Sequence, residues 1–390
     1  MSAKKCLAIS CFIAAAVLMV DRAVLAQGCV AVRPMSCSAS EQAKIIGILQ
    51  QGQWQVLGAY RYFKSYRHFR GDVEEHERVE DGTQVENITH AIDFGLLYGI
   101  SNRLGVILNA PIIYYDRSSL YEHYGNSTRT NPDQLRFHTG ATGIGDLRFT
   151  ANYWLFNPMT SFKGNLSVGL GLKAPTGKAN VEDEFHRRAD DGSDSVVVRP
   201  VDQSIQLGDG GWGLNFEMQG YRSLFTQASV FFNGFYLFNP KDVNNTLTRG
   251  SLAGVDPLIA YHSIADQYAA RLGLNYVILP HSGLSVSLAG RIEGIPSHDV
   301  FGSSNGFRRP GYIVSIEPSV SYTKNLSFTL NFPIALYRNR TKSVYDLADP
   351  TGQRHGDAAF ADYLVNVVMT YKFGKKHGSM GAAPQIHIPN

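Results

Sequence analysis

From Gln53 to Phe373 apolar and polar residues alternate in long stretches, closed in rotation by a short turn and a long polar loop. In Asp146 to Tyr153, Leu147, Phe149, Ala151 and Tyr153 share one face and Asp146, Arg148, Thr150 and Asn152 the other, which is the two-residue period of a β-strand. Length separates the membrane case from the soluble one, because a tilted strand crossing hydrocarbon needs about 9 to 11 residues whereas soluble strands average about 5 to 6. The pattern predicts strands over 53–63, 87–100, 104–115, 143–156, 165–175, 212–222, 228–238, 267–279, 284–295, 311–323, 325–337 and 360–373. Connections 101–103, 157–164, 223–227, 280–283 and Lys324 are short, while 64–86, 116–142, 176–211, 239–266, 296–310 and 338–359 are long. This sorting predicts an all-β fold, a transmembrane antiparallel up-and-down β-barrel of about 12 strands over 53–373, with long loops outside the cell and both termini in the periplasm.

The two-residue period also assigns faces. Trp54, Tyr60, Phe94, Leu108, Phe149, Tyr153, Leu170, Phe216, Tyr276, Phe328, Met369 and Tyr371 fall on the outward face, with aromatics gathered near strand ends as membrane-border girdles. Arg61, Asp93, Asp146, Arg148, Lys173, Glu217, Arg271, Arg291, Glu293 and Glu317 fall on the inward face and are the candidate lumen-facing residues. Two readings stand for these charges. They line a water-filled conduit, or they pair with one another and fill a narrow barrel, since isolated charges in a confined space need partners.

The ends set the compartment. Met1 to Ala26 has Lys4 and Lys5, an apolar run from Cys6 to Val20 and a small-residue exit, the layout of a cleavable secretory signal. Residues 27–52 are then a periplasmic N-terminal segment and 374–390 a flexible periplasmic tail. Ile45, Ile46, Ile48 and Leu49 form an apolar cluster that either enters the lumen as a plug or lies across the periplasmic mouth. Two of the four cysteines leave with the signal, and the remaining pair, Cys29 and Cys37, is a disulfide candidate in an oxidising compartment. The competing reading of Cys29 is lipid attachment, because Gly28 supplies the small residue that such processing wants. The formal net charge is +3 and the signal removes more cations than anions, so the mature chain is close to neutral and shows no nucleic-acid partner. Expected partners are outer-membrane lipids, the barrel-assembly machinery and a small-molecule solute, in the outer membrane of a Gram-negative bacterium.

Three stretches stand out: Gly143-Ile144-Gly145-Asp146-Leu147, Gly171-Leu172-Lys173-Ala174-Pro175-Thr176-Gly177-Lys178, and Gln206-Leu207-Gly208-Asp209-Gly210-Gly211-Trp212. Together they resemble the outer-membrane transporter family of the meta-pathway of phenol degradation. That resemblance implies an outer-membrane barrel with a role in uptake of aromatic or other hydrophobic compounds. The terminal stretch Val367 to Phe373 likewise resembles the final-strand signal of outer-membrane proteins.

Catalytic and metal chemistry find little support. The sole His-x-Ser, His377-Gly378-Ser379, lies in the tail, where no third group orients a base, so no enzyme and no cofactor is expected. Asp190, Asp191, Gly192 and Asp194 carry an alternative reading as a calcium loop, set against a solvated loop beside Arg187 and Arg188; no zinc spacing occurs. Two functions are therefore expected to compete: a passive channel, in which Arg148, Lys173, Arg271 and Arg291 favour anions and Asp93, Asp146, Glu217 and Glu293 oppose them, and a non-conducting barrel acting as surface receptor, adhesin or anchor.

Overall fold

Apolar residues at every second position, with no long apolar helix to compete, leave the backbone one way to satisfy its hydrogen bonds in lipid, which is to pair strand to strand around a closed ring. The computed structural model describes residues 48–189, 191–324 and 326–374, and there the ring is complete. Met1 to Ala26, Cys29, Cys37 and the His377-Gly378-Ser379 tail lie outside the described residues. Among the described residues, no helix is long and apolar enough to cross a membrane.

The wall is a closed antiparallel barrel of 12 staves. In chain order its strands are β1 (Gln53–Arg70), then a short β2 (Val73–Glu74) and α1 (Glu77–Glu80) in the first long loop, β3 (Glu86–Gly99) and β4 (Leu104–Ser119). One bulged stave follows, β5 (Phe137–Ile144) with β6 (Leu147–Trp154), and then β7 (Gly164–Ala174). The next loop carries a hairpin of β8 (Glu182–Arg188) and β9 (Asp194–Pro200). Strands β10 (Gly213–Phe225) and β11 (Ala228–Phe238) precede a second loop hairpin, β12 (Val243–Leu247) with β13 (Tyr261–Ser263). The wall continues through β14 (Gln267–Leu279), β15 (Leu284–Ile295) and β16 (Gly311–Thr323). The last two staves are interrupted: β17 (Leu326–Asn331) with β18 (Ile334–Asn339), and, after α2 (Val344–Leu347), β19 (Ala358–Ala361) with β20 (Val365–Gly374). Pairing of β1 with β20 and of β15 with β16 closes the ring.

Register fixes which side chains face in, since a slip of one residue would turn every polar side chain toward lipid. On β1, Gln55, Leu57, Ala59, Arg61, Phe63 and Ser65 are buried, and the residues that alternate with them, from Trp54 and Val56 onward, face out. The same alternation leaves Phe94, Leu108, Phe149, Leu170, Leu272 and Leu336 exposed on the outer surface. That surface is the lipid-facing band of an outer-membrane protein. Trp54 and Tyr98 pack 4.5 Å apart between ring centroids at the short-turn end, with Tyr371 and Phe373 stacked on a neighbouring stave. The amphipathic rings suit the border where hydrocarbon meets water.

Candidate functional site: the interior of the barrel

The inward face is divided along the barrel axis. Near the short-turn end part of the inward face is apolar. Leu57, Ala59, Leu97, Ile107 and Val368 enclose Leu49, while Trp154, Tyr221, Phe231 and Ala289 form a second group against which Ile48 packs. The chain just before β1 thus turns into the mouth of the barrel. It is fixed there by Lys372 Nζ donating to the Ile48 carbonyl at 2.9 Å, by the Gly52 amide donating to the Gly99 carbonyl at 2.8 Å, and by the Gln51 amide donating to Asn102 Oδ1. Of the apolar cluster read in the sequence, Ile45 and Ile46 lie outside the described residues.

Above the apolar ring lies a belt of charge. Arg271 Nη1 donates to Glu317 Oε1 at 2.7 Å, Arg291 Nη1 donates to Glu317 Oε2 at 3.2 Å, and Arg291 Nη2 donates to Glu293 Oε2 at 2.8 Å. Arg61, on the far side of the ring, feels the charges of Asp93, Glu293 and Arg291 together. Glu217 accepts from Asn215, and Arg148 stands in register with Lys173 on the adjacent strand. All ten charged residues read as inward-facing lie on the buried side of the wall. Arg271, Arg291, Glu293 and Glu317 form one network, while Lys173 pairs with Asp209 of the following loop. Neutral hydrogen-bonding residues line much of the remaining inward face. Gln55, Ser167, Gln219, Asn275 and Asn331 are buried, and each keeps a polar side-chain atom that no protein group satisfies. Buried polar groups of this kind are met by water.

The other end is closed by loops. The stretch between β7 and β10 is not the plain polar loop its composition suggests. It runs out as the β8–β9 hairpin, returns inward, and buries Val201, Ile205 and Leu207 against Ala91, Ile113, Tyr115 and Ala141 of the inner wall. Asp202 pins this turn. Its carboxylate takes both Nη groups of Arg309, at 2.8 and 2.7 Å, and the Ser204 amide and hydroxyl, and Arg117 Nη2 stands 3.6 Å away. Burial opposes ionisation of Asp202, but Arg117 and Arg309 outweigh it and hold the carboxyl well below the usual carboxylate range. Arg308 and Asp299 form a second bidentate pair beside it, at 2.7 and 2.6 Å.

The three stretches singled out in the sequence meet at one point of this closure. Asp146 Oδ1 accepts from the Gly177 amide at 2.9 Å, and Asp146 Oδ2 accepts from the Asp209 amide at 3.2 Å. Thr176 Oγ1 donates to the Gly145 carbonyl and accepts from the Leu147 amide. The bulge between β5 and β6 turns Asp146 inward to receive these donors, and the loop is thereby tied to the wall. Sequence reasoning named Asp146 and Lys173 and held Asp209 within a motif, but missed Arg117, Asp202, His262, Asp299, Arg308 and Arg309, which sit in long loops or at strand ends where no periodicity assigns a face.

Between belt and roof lies a cavity of about 130 Å3, lined by wall residues such as Tyr115, Arg148, Lys173 and Ile295 and by roof residues such as His262, Ser263, Arg308 and Arg309. The acidic loop considered for calcium uses its oxygens locally: Asp191 accepts from the Ser193 amide and hydroxyl, and Asp194 accepts from Tyr124 and contacts His186. Asp190 lies outside the described residues. His68, Glu75 and Asp357 also cluster, but His68 Nε2 accepts from the Val85 amide and its Nδ1 faces Asp357, while Arg70 and Arg78 hold Glu75.

No family model matches this chain, and no curated protein does. Among solved structures it is similar to an outer membrane channel from Pseudomonas putida F1, at 13% identity and a TM-score of 0.51, over 83% of this chain and 97% of that one. Weaker similarities are to the P. putida toluene transporter TodX, at 10% identity and a TM-score of 0.42 over 86% of this chain and 93% of that one, and to the CymD monoaromatic hydrocarbon channel, at 11% identity and a TM-score of 0.42 over 91% and 100%. At these identities the likeness concerns the fold, an outer-membrane β-barrel of a Gram-negative bacterium.

Proposed function

We propose that this barrel is a passive outer-membrane channel for small solutes, gated at both mouths. The observation that carries the reading is the inner wall. It is polar through its middle, its charges are paired, and Gln55, Ser167, Gln219, Asn275 and Asn331 retain unsatisfied polar atoms that only water or a passing solute can serve. A barrel that exists only as an anchor has no need of such a lining, since an apolar filling satisfies itself. The solute class is aromatic or otherwise hydrophobic small molecules, as the three motifs' resemblance to the phenol-degradation group implies. Catalysis has no part in the proposal, and the barrel-assembly machinery is its expected partner during insertion.

A second reading, a non-conducting barrel that works through its outer loops, draws on one observation: Ile48 and Leu49 fill one mouth while Val201, Ile205 and Leu207 fill the other. Single-channel recording of the refolded mature protein separates the two. Steady current, with block by particular members of a panel of aromatic acids, sugars and neutral hydrophobics, is the expected result; a folded barrel that passes no current under any potential sinks the channel.

A further inference from the structure

We infer that the cavity beneath the roof binds the carboxylate group of a small solute, a proposal that rests on the channel reading above and names where a passing molecule is held. The argument is one of donors against acceptors. The two carboxylates that line the cavity already take protein donors, Asp146 from the Gly177 and Asp209 amides and Asp209 from Lys173, while Arg309 and Arg308 of the lining are paired with Asp202 and Asp299 outside it. Donors are left over. The Lys173 ammonium carries three N–H groups and is 1% exposed, with its ion pair to Asp209 taking one direction only. Arg308 Nε and Ser263 Oγ are buried and have no protein partner. His262 Nδ1 is likewise buried without a partner, and burial, eased by Asp202 and reinforced by Arg309, holds this imidazole near 4, so at neutral pH it is an uncharged hydrogen-bonding group.

Four cationic side chains, Arg148, Lys173, Arg308 and Arg309, line the cavity against two carboxylates, Asp146 and Asp209, and a lining with that balance and with spare donors suits a group that only accepts, of which an ionised carboxylate is the commonest. A protonated amine would instead meet the excess of cationic side chains in that lining. Tyr115, Ile295 and Ala265 add apolar surface for the rest of the molecule. The solute class is therefore a small carboxylate with an apolar body.

The test uses the full refolded barrel with benzoate, benzyl alcohol and benzylamine as probes. Calorimetric titration in detergent reads the site without requiring conduction. Benzoate is expected to bind about tenfold or more tightly than the alcohol, the scale of one charge-assisted hydrogen bond, and the amine not measurably. Lys173→Met combined with Asp209→Asn removes the donor without orphaning a carboxylate and should weaken benzoate about tenfold. Ser263→Ala removes a hydroxyl that holds no protein partner, so it leaves the fold undisturbed and should weaken benzoate about threefold. Equal binding of benzoate and benzyl alcohol, or unchanged benzoate affinity in both variants, overturns the site. Planar-bilayer recording keeps the two claims apart: a conducting barrel without benzoate binding or block overturns the carboxylate site alone, whereas a silent barrel that binds benzoate in detergent upholds the site and overturns the channel.

Discussion

A β-carbon on Gly208 would stand 2.4 Å from the Gly177 carbonyl oxygen and 2.6 Å from Asp146 Oδ1, a separation that real side chains do not reach. Gly208→Ala must therefore push the inward loop off its seat, at a cost of about 1 to 3 kcal/mol typical of overpacking. Proteolysis of the 175–212 loop in the folded barrel should accelerate, while Gly58→Ala, with nothing within 4 Å of the new carbon, should leave it unchanged; equal rates for the two would remove the loop seat from the account. Asp146, Gly177 and Gly208 were all visible in the motifs. Their meeting was not, because Asp146 reaches partners 31 and 63 positions further along the chain. The roof also carries a pH dependence. Burial, eased by Asp202 and reinforced by Arg309, lowers His262 from 6.5 to about 4. Burial, opposed by Glu122 and joined by His186, Arg187 and Arg199, lowers His123 from 6.5 to about 4 as well. With folded values below the unfolded ones, both contribute stability that is full above about pH 6.5 and is lost as pH falls through about 4. Thermal unfolding near pH 7 and near pH 4.5 should differ more for the native barrel than for a His123→Gln, His262→Gln variant. An identical drop in both would mean that other groups set the acid sensitivity.

Strands were the most legible element, and the reason is physical. Where one face meets lipid and the other a polar interior, alternation is enforced at every position. Ala228–Phe238, Gln267–Leu279, Leu284–Ile295 and Gly311–Thr323 accordingly run as the periodicity predicts. Beyond the membrane that pressure lapses. β1 continues to Arg70 through Ser65, Arg67 and His68 and β4 to Ser119 through Asp116, Arg117 and Ser118, polar residues that blur the alternation, and the β8–β9 and β12–β13 hairpins carry no lipid-imposed period at all. Leu272, on the outer face beside the charge belt, tests the assignment: Leu272→Arg should destabilise the folded barrel in lipid by about 2 to 4 kcal/mol in urea titrations. Leu252→Arg, in a loop, should stay within about 0.5 kcal/mol, and a comparable cost for both would place Leu272 outside the hydrocarbon. The segment before β1 answers to the same logic, since Ile48 and Leu49 fit an apolar ring and not the polar belt above it. Ile48→Asn with Leu49→Asn should loosen that fit and raise single-channel conductance; no change would mean that this segment does not limit flow.

At the scale of the whole barrel, Arg271, Arg291, Glu293 and Glu317 form one network, and in the channel proposed above its sign balance would set which ions pass. The sequence period put Arg271, Arg291, Glu293 and Glu317 on one face, but their network was not legible, because its partners lie far apart in the chain: Arg271 and Glu317 are 46 positions apart. Pairing also changes what the charges do. A belt of free arginines would select strongly for anions, whereas arginines shared with Glu293 and Glu317 leave a field that a single substitution can tip. Arg291→Gln removes one positive charge and leaves Glu293 uncompensated, so the reversal potential in a salt gradient should move toward cation selectivity. Glu293→Gln should move it the other way. Both shifts should be larger in 0.1 M than in 1 M salt, because the screening length falls from about 10 Å to about 3 Å and only charges within that distance of the passing ion still act on it. Shifts of the same sign for the two variants, or shifts that do not respond to salt, would mean that the current does not run past this belt.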